Sequence, residues 1–329
     1  MGGRGKRVAT IGLMFIGAVA GAGFASGQEI WQFFGRHGPA GRWGLLLVVL
    51  SFWVVGVRAL EHGQASQGRL DRFLAGFYPP RWVPVLEGAW LAFLAGQMAL
   101  VAVGAGWTLG DLTGWPRVWG AGLTMLLTVA TVLGGAGRVL RVNNLLTPLL
   151  MALMLAVAGL HRPHGVPAPG AAGGWWHSAG LYAAYNGLMG LVVLIALGPQ
   201  LRARPERLAA AGLGALGLGA LALAVWAVVA TLPQPGQLPM VEAARRIGPG
   251  WGRAYALGLW VALFTTGVGE GFALVSRFGR RAAWSLLLAV GLAGWGFREL
   301  LVTLYPIMSV LAVLFLLPLI RHPRQIPSL

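Results

Sequence analysis

Nearly charge-free stretches of about twenty residues recur along this chain from end to end, each long enough to cross about 30 Å of hydrocarbon as an α-helix. They lie near Val8–Phe34, Trp43–Val57, Pro84–Gly110, Val118–Gly137, Val142–Leu160, Trp175–Gln200, Leu208–Leu232, Ala254–Val275, Ala282–Phe297 and Leu300–Ile320. The expected fold is an all-α integral membrane protein of about ten transmembrane helices, forming a single domain over residues 1–329. Composition agrees: with 57% hydrophobic and only 10% charged residues, the chain lacks the polar material to cover a water-soluble surface.

The charges that remain say how the spans are oriented. A formal charge of +16 in a soluble protein would suggest nucleic acid, but here the arginines sit in short loops between apolar runs, with no basic stripe interleaved with aromatics. With the N-terminus inside, the inner loops carry Arg4, Lys6 and Arg7, then Arg58, Arg69, Arg72 and Arg81, then Arg138 and Arg141, then Arg202, Arg204 and Arg207, then Arg277, Arg280 and Arg281, and finally Arg321 and Arg324. Lys/Arg-rich loops stay on the cytoplasmic side, so both termini are expected there, in a multi-pass protein of the cell membrane whose partners are the bilayer and a small solute rather than nucleic acid. The exception is Pro233–Gly252, with Arg245 and Arg246; its amphipathic stretch Met240–Ile247 predicts a short helix lying on the outer surface. Met1–Arg7 is short and basic and runs into an apolar stretch too long for a signal-peptide core, so it is expected to lead a retained first span. The absence of cysteine excludes disulfides, thiolate catalysis and cysteine-ligated zinc. No nucleotide loop, catalytic triad or HExxH pattern occurs, and no enzymatic activity or organic cofactor is expected.

Ten spans divide into five plus five, near residues 8–160 and 175–320, and an odd number per half inverts the second half relative to the first. The first span of each half carries an interruption: Gly21-Ala22-Gly23-Phe24-Ala25-Ser26-Gly27-Gln28-Glu29 in span one, and Tyr182-Ala183-Ala184-Tyr185-Asn186-Gly187 in span six. Paired interruptions of this kind point to discontinuous helices around a binding site at mid-membrane. In span one the glycines destabilise helix, and the segment ends in an amide and a carboxylate that hydrocarbon does not welcome. An unwound stretch there frees amides for an anion and carbonyls for a cation, and glycine lets a ligand approach the backbone. The alternative is that Gly17, Gly21, Gly23 and Gly27 form small-residue faces for close helix packing.

The run Gly21–Glu29, just after a short basic N-terminus, resembles the first helix of YkvI-type membrane proteins, relatives of the amino acid–polyamine–organocation superfamily with the LeuT fold. The resemblance implies a five-plus-five inverted repeat with discontinuous helices one and six and a substrate held between them. Candidate substrate contacts are Gly21, Ala22, Gly23, Phe24, Ser26, Gly27 and Gln28 in the first span, and Tyr182, Tyr185 and Asn186 in the sixth, where the fold's pattern touches the substrate's amino or apolar end. An interfacial aromatic belt is the alternative for the tyrosines, although Trp175 and Trp176 suit that role better. Gln97 in span three is either a further contact or a packing amide.

Span eight contains Thr265 and Thr266, which resemble the hydroxyl pair that joins first-helix carbonyls around Na⁺ in sodium-coupled LeuT-fold transporters; the carbonyl partners here would be Ala18 and Gly21. Hard oxygens suit that ion, though threonines also back-bond to their own helix. Glu270 lies one turn from Thr266, so both project from one face. An ionisable side chain within a span points to function by default, here proton or ion coupling, against an ion pair with Arg277 or Arg280. Glu29 is expected to gate the site with Arg298, or to pair with Arg36. His161, His164 and His177 share an outer loop without strong metal spacing. The reading is a secondary active transporter, a cation-coupled symporter of an amino acid or amine with Na⁺ favoured over H⁺, working by alternating access. The rival is a membrane receptor that keeps the fold and senses a small ligand without turnover; the sequence leaves oligomeric state open.

Overall fold

The first apolar run folds as three helices rather than one. In the computed structural model, which describes residues 3–161, 173–232 and 235–320, it divides into α1 (Gly3–Val19), α2 (Ala22–Ser26) and α3 (Gln28–Phe33). Two glycines make the joints. Gly21 is extended, with φ −82° and ψ −163°, and Gly27 is left-handed at φ 78°, a conformation L side chains resist. Ser26 fastens the second joint, its Oγ donating to the Gly23 carbonyl at 2.7 Å and accepting the Gln28 N–H at 3.1 Å.

The chain continues through α4 (Gly41–Ala65), α5 (Leu70–Ala75), α6 (Val83–Thr113), α7 (Arg117–Leu133), α8 (Ala136–Leu160), α9 (Trp175–Leu197), α10 (Arg204–Val229), α11 (Pro239–Ile247), α12 (Pro249–Phe278) and α13 (Phe297–Leu316). Each of the ten expected spans coincides with a helical element. Among the described residues six helices are long and apolar enough to cross a membrane, containing α4, α6, α9, α10, α12 and α13. The expected ninth span is a 3₁₀-helix, Arg280–Leu292; at about 2.0 Å per residue its 13 residues reach about 26 Å. Arg321, Arg324 and His164 lie outside the described residues, as do the side chains of Arg138 and Arg141.

One expectation about the helices needs correction. The second break is absent: α9 is helical from Trp175 through Leu197, passing Asn186 without interruption. Its glycines serve packing instead. A Cβ at Gly187 would meet Leu316 at 3.3 Å, and one at Gly190 would strike the Phe15 ring, while the Asn186 amide donates back along the helix to the Tyr182 carbonyl at 3.3 Å. The short helix α11 forms where its amphipathic pattern predicts, at the protein surface. Met240, Val241, Ala243 and Ala244 are buried against the protein, leaving Arg245 and Arg246 exposed, because the break in the first helix leaves a recess for its apolar face.

Contacts at the helix ends sort them into two faces. On the face bearing the N-terminus, Arg4 pairs with Glu206 at the start of α10, and Arg277 at the end of α12 pairs with Glu87 at the start of α6. On the opposite face Arg245 pairs with Asp111 at the end of α6, and Trp107 donates to the Trp295 carbonyl at 2.9 Å. Between the faces, α1, α4, α9 and α10 pack with one another, and α6, α7, α12 and the 3₁₀-helix form a second group. Phe15 of α1 keys the first group together. Its ring fills a socket made by Gly56 of α4, Gly190 of α9 and Gly214 of α10, at each of which a Cβ would press on the ring.

Gly27 carries two independent constraints, its positive φ and the packing of Met240 Cγ and Val229 Cγ1 at 2.7 and 2.9 Å from where a Cβ would stand. Gly27→Ala is expected to destabilise the protein by about 2–5 kcal/mol, the sum of a left-handed alanine and an overpacked contact. Thermal unfolding of the purified protein measures this; an unchanged Tm would show that neither constraint operates.

Candidate functional site

The broken first helix opens onto a cavity of about 260 Å³ between the two helix groups. Its walls come from residues 17–23 at the end of α1 and the first joint, from Glu29 of α3, from Trp90, Gln97, Leu100 and Val101 of α6, from Tyr185, Asn186, Met189, Val192 and Val193 of α9, from Thr265, Thr266, Gly269, Glu270 and Ala273 of α12, and from Phe297 and Tyr305 of α13. Of the residues singled out in the sequence, the structure brings Ala18, Gly21, Ala22, Gly23, Glu29, Gln97, Tyr185, Asn186, Thr265, Thr266 and Glu270 to this one space. Phe24, Ser26, Gly27, Gln28, Tyr182 and Arg298 do not line it. Ser26 and Gly27 shape the joint, and Gln28 is buried with neither side-chain amide atom hydrogen-bonded among the described residues.

Glu29 is 3% exposed. Its Oε1 accepts a hydrogen bond from the Tyr305 hydroxyl and stands where a Cβ on Gly23 would fall, while its Oε2 has no hydrogen-bond partner among the described residues. The expected gate with Arg298 is not formed, because that guanidinium lies over the Trp31 ring, 4.9 Å from its centroid, and the backbone N–H of Arg298 donates to Gln237 at 2.7 Å. Arg36 is also engaged elsewhere, donating to Ser178 Oγ at 3.2 Å. Glu270 is buried on the cavity wall of α12; the arginines proposed as its structural partners are occupied, Arg277 by Glu87 and Arg280 by the Leu133 carbonyl at 3.0 Å.

At the first joint α1 ends at Val19, leaving last-turn carbonyls such as that of Ala18 without a following helical N–H. The Ala22 N–H turns aside to Thr266 Oγ1 at 3.3 Å, and the Thr265 hydroxyl donates to the Ala262 carbonyl at 3.0 Å. This brings carbonyl and hydroxyl oxygens of α1 and α12 to one corner of the cavity. The Gly21 carbonyl also accepts the Ala25 N–H at 3.0 Å.

Toward the face opposite the N-terminus an aromatic cluster closes the space. Phe33 stacks on Tyr305 with centroids 5.6 Å apart and meets Tyr182 edge-on at 5.4 Å; Phe34 meets Tyr182 at 5.0 Å, and Tyr185 lies 4.5 Å from Tyr305. Tyr182 therefore belongs to this plug rather than to the cavity wall. Toward the N-terminal face the cavity runs past Gly17, Trp90, Val193 and Ala273, and Ala18, Gly21, Thr265 and Thr266 are partly exposed. Tyr305 went unnoticed in the sequence. Its signal there is a hydroxyl just before Pro306, one of three in that span with Thr303 and Ser309, and nothing in span order brings that span to Glu29.

No protein-family model matches the chain. Full-length similarity links it to two proteins of Bacillus subtilis (strain 168). The uncharacterized protein YyaD is 26% identical over 350 residues, covering 94% of this chain and 95% of that one. The uncharacterized membrane protein YkvI is 23% identical over 337 residues, covering 96% of each. Among solved structures, MhsT in complex with L-phenylalanine superposes with a TM-score of 0.55 at 20% identity, over 92% of this chain and 78% of that one. The chain has the LeuT fold and is similar to YkvI along its full length. Mhp1, a nucleobase-cation-symport-1 family transporter in a closed conformation with bromovinylhydantoin bound, superposes with a TM-score of 0.53 at 14% identity, over 92% of this chain and 76% of that one. Within this LeuT fold the first helix is broken at Gly21 and Gly27, whereas α9 runs unbroken through the sixth-span position.

Proposed function

We propose that the chain is a cation-coupled symporter of a small organic solute working by alternating access. The observation that carries this reading is the cavity at the broken first helix, sealed on one face by the aromatic cluster and extending toward the other. A binding space that reaches one face while packed side chains close the opposite one is what one end state of a rocking transporter requires. The likeness to Mhp1, a transporter, adds support. The two groups of helices supply the bodies that move against each other, and the cavity lies at their boundary.

The coupling ion in this reading is Na⁺, held by the hydroxyls of Thr265 and Thr266 with the carbonyls of Ala18 and Gly21. The donor set fits, because all four are hard, uncharged oxygens at the corner where α1 unwinds against α12. Bound there, the ion supplies positive charge that holds the end of α1 to α12. Glu270 faces the same space and is the residue that would carry a proton instead. Glu29 with Tyr305 and Tyr185 lines the solute's portion of the cavity.

The native chain contains no cysteine, so a single cysteine reports access cleanly. Ala18→Cys is expected to react with a charged thiol reagent applied from the N-terminal face and to resist it from the other, with Na⁺ slowing the reaction. Counterflow of a labelled solute in proteoliposomes then separates a transporter from a sensor. Labelling that is equally fast from both faces, or bound solute that never exchanges across the membrane, would overturn the alternating-access reading.

A further inference from the structure

Among the described residues, the cavity is lined by two carboxylates, Glu29 and Glu270, and by no lysine, arginine or histidine. Two acidic side chains in a space otherwise walled by apolar, aromatic and amide groups create a negative field that water screens weakly, and a cation entering it is favoured over a neutral or anionic solute. The arrangement at Gly23 sharpens this. The Glu29 carboxylate is folded back against the backbone of the first break, with Oε1 filling the volume a side chain on Gly23 would take and held there by the Tyr305 hydroxyl. Its second oxygen is buried and has no hydrogen-bond partner among the described residues. The protein thus brings its own carboxylate to the unwound backbone beside the cavity, with one oxygen left unpartnered among the described residues.

We infer that the solute is an organic amine without a carboxylate, its ammonium group bound by the Glu29 carboxylate and its apolar body lying against Met189, Leu100, Val101 and Phe297. This deepens the symporter reading and rests on the cavity being the solute site. An amino acid would bring a second carboxylate against Glu29 with no basic side chain to separate them, and that repulsion excludes zwitterions in favour of amines. Tyr185 and Tyr305, with ring centroids 4.5 Å apart, add aromatic faces beside the same position, which suit an ammonium group.

The test compares ligands that share a skeleton and differ in charge. One set is phenethylamine, L-phenylalanine and 3-phenylpropionate; the other is 3-methylbutylamine, L-leucine and 4-methylpentanoate. Binding to the purified full-length protein is read from thermal stabilisation in Na⁺ buffer. The amine of at least one set is expected to stabilise the protein, and its amino acid and acid counterparts are not. Glu29→Gln keeps the shape and a hydrogen-bond partner for Tyr305 and should weaken amine binding by at least about 10-fold, the loss expected when a charge-assisted hydrogen bond is removed. Glu29→Ser, which vacates the position against Gly23, should let the matching amino acid bind, a gain that misfolding cannot imitate. Stabilisation by the amino acids and not the amines, silence of both amines, or undiminished amine binding by Glu29→Gln would each overturn the inference. Counterflow with the bound amine is scored separately: amine binding without exchange leaves the ligand class standing and removes the transporter.

Discussion

Replacing Gly23 with valine is expected to weaken ligand binding by about 10- to 100-fold while expression and membrane insertion stay near the parental level. A Cβ at this position falls directly on Glu29 Oε1 and the Tyr305 hydroxyl, so the carboxylate must leave the place where it faces the cavity. Valine adds two methyl groups and a stiff χ1. Overpacking of this kind destabilises a fold by about 1–3 kcal/mol, which a membrane protein with two packed helix groups tolerates. The same free energy spent at a binding site lowers affinity by about 10- to 100-fold. Ligand-induced stabilisation and size-exclusion profiles of the two proteins, measured side by side, separate the effects. Uptake that persists in the valine variant would place the site elsewhere.

The second large effect concerns coupling, where two chemistries compete for one face of α12. Changing Thr265 and Thr266 together to alanine removes two oxygens from a corner of the cavity and strips the Ala22 N–H of its acceptor. If these hydroxyls hold Na⁺, sodium dependence should vanish while solute contact survives, and the double serine variant, which restores both oxygens, should recover it. Glu270→Gln fixes a neutral side chain of the same shape; if Glu270 carries the coupling proton, exchange continues but accumulation driven by a pH gradient stops. The measurement is accumulation in proteoliposomes under a Na⁺ gradient and, separately, a pH gradient. The expected result is Na⁺-driven uptake lost in the alanine pair. Parent uptake driven by the pH gradient alone, abolished by Glu270→Gln and untouched by the threonine changes, would sink the sodium reading.

How much of this was legible in the sequence varies with the kind of signal. The helical elements follow from apolar run length, a signal that survives any error at helix ends. The first break was legible because Gly21, Gly23 and Gly27 arrive together with Ser26, Gln28 and Glu29, a combination that no helix in hydrocarbon favours. The expected break in α9 rested on similar cues and is not formed, because Gly187 and Gly190 answer to the bulk of Leu316 and Phe15 on other helices, information no local pattern carries. The same limit explains Glu29. A glutamate and Arg298 near opposite span ends suggest an ion pair, but the arginine finds Trp31 and the glutamate finds Tyr305, choices set by how α3 and α13 cross. Thr265, Thr266 and Glu270 share the cavity as their helical spacing predicted, since a phase along one continuous helix is the part of tertiary structure that a sequence states outright.

The glycine socket around Phe15 has a mechanical consequence. A knob held by ordinary side chains can be freed by rotamer changes, whereas here the surrounding surface is largely backbone, which has no rotamers to change. The end of α1 nearest the joint is therefore splined to α4, α9 and α10. In the alternating-access reading, displacement between the two helix groups is absorbed where α1 stops being a helix, at Gly21. The joint beside the binding space is thus also the compliant element of the machine, and stiffening it would slow movement of the whole assembly even in a variant whose cavity remained chemically intact.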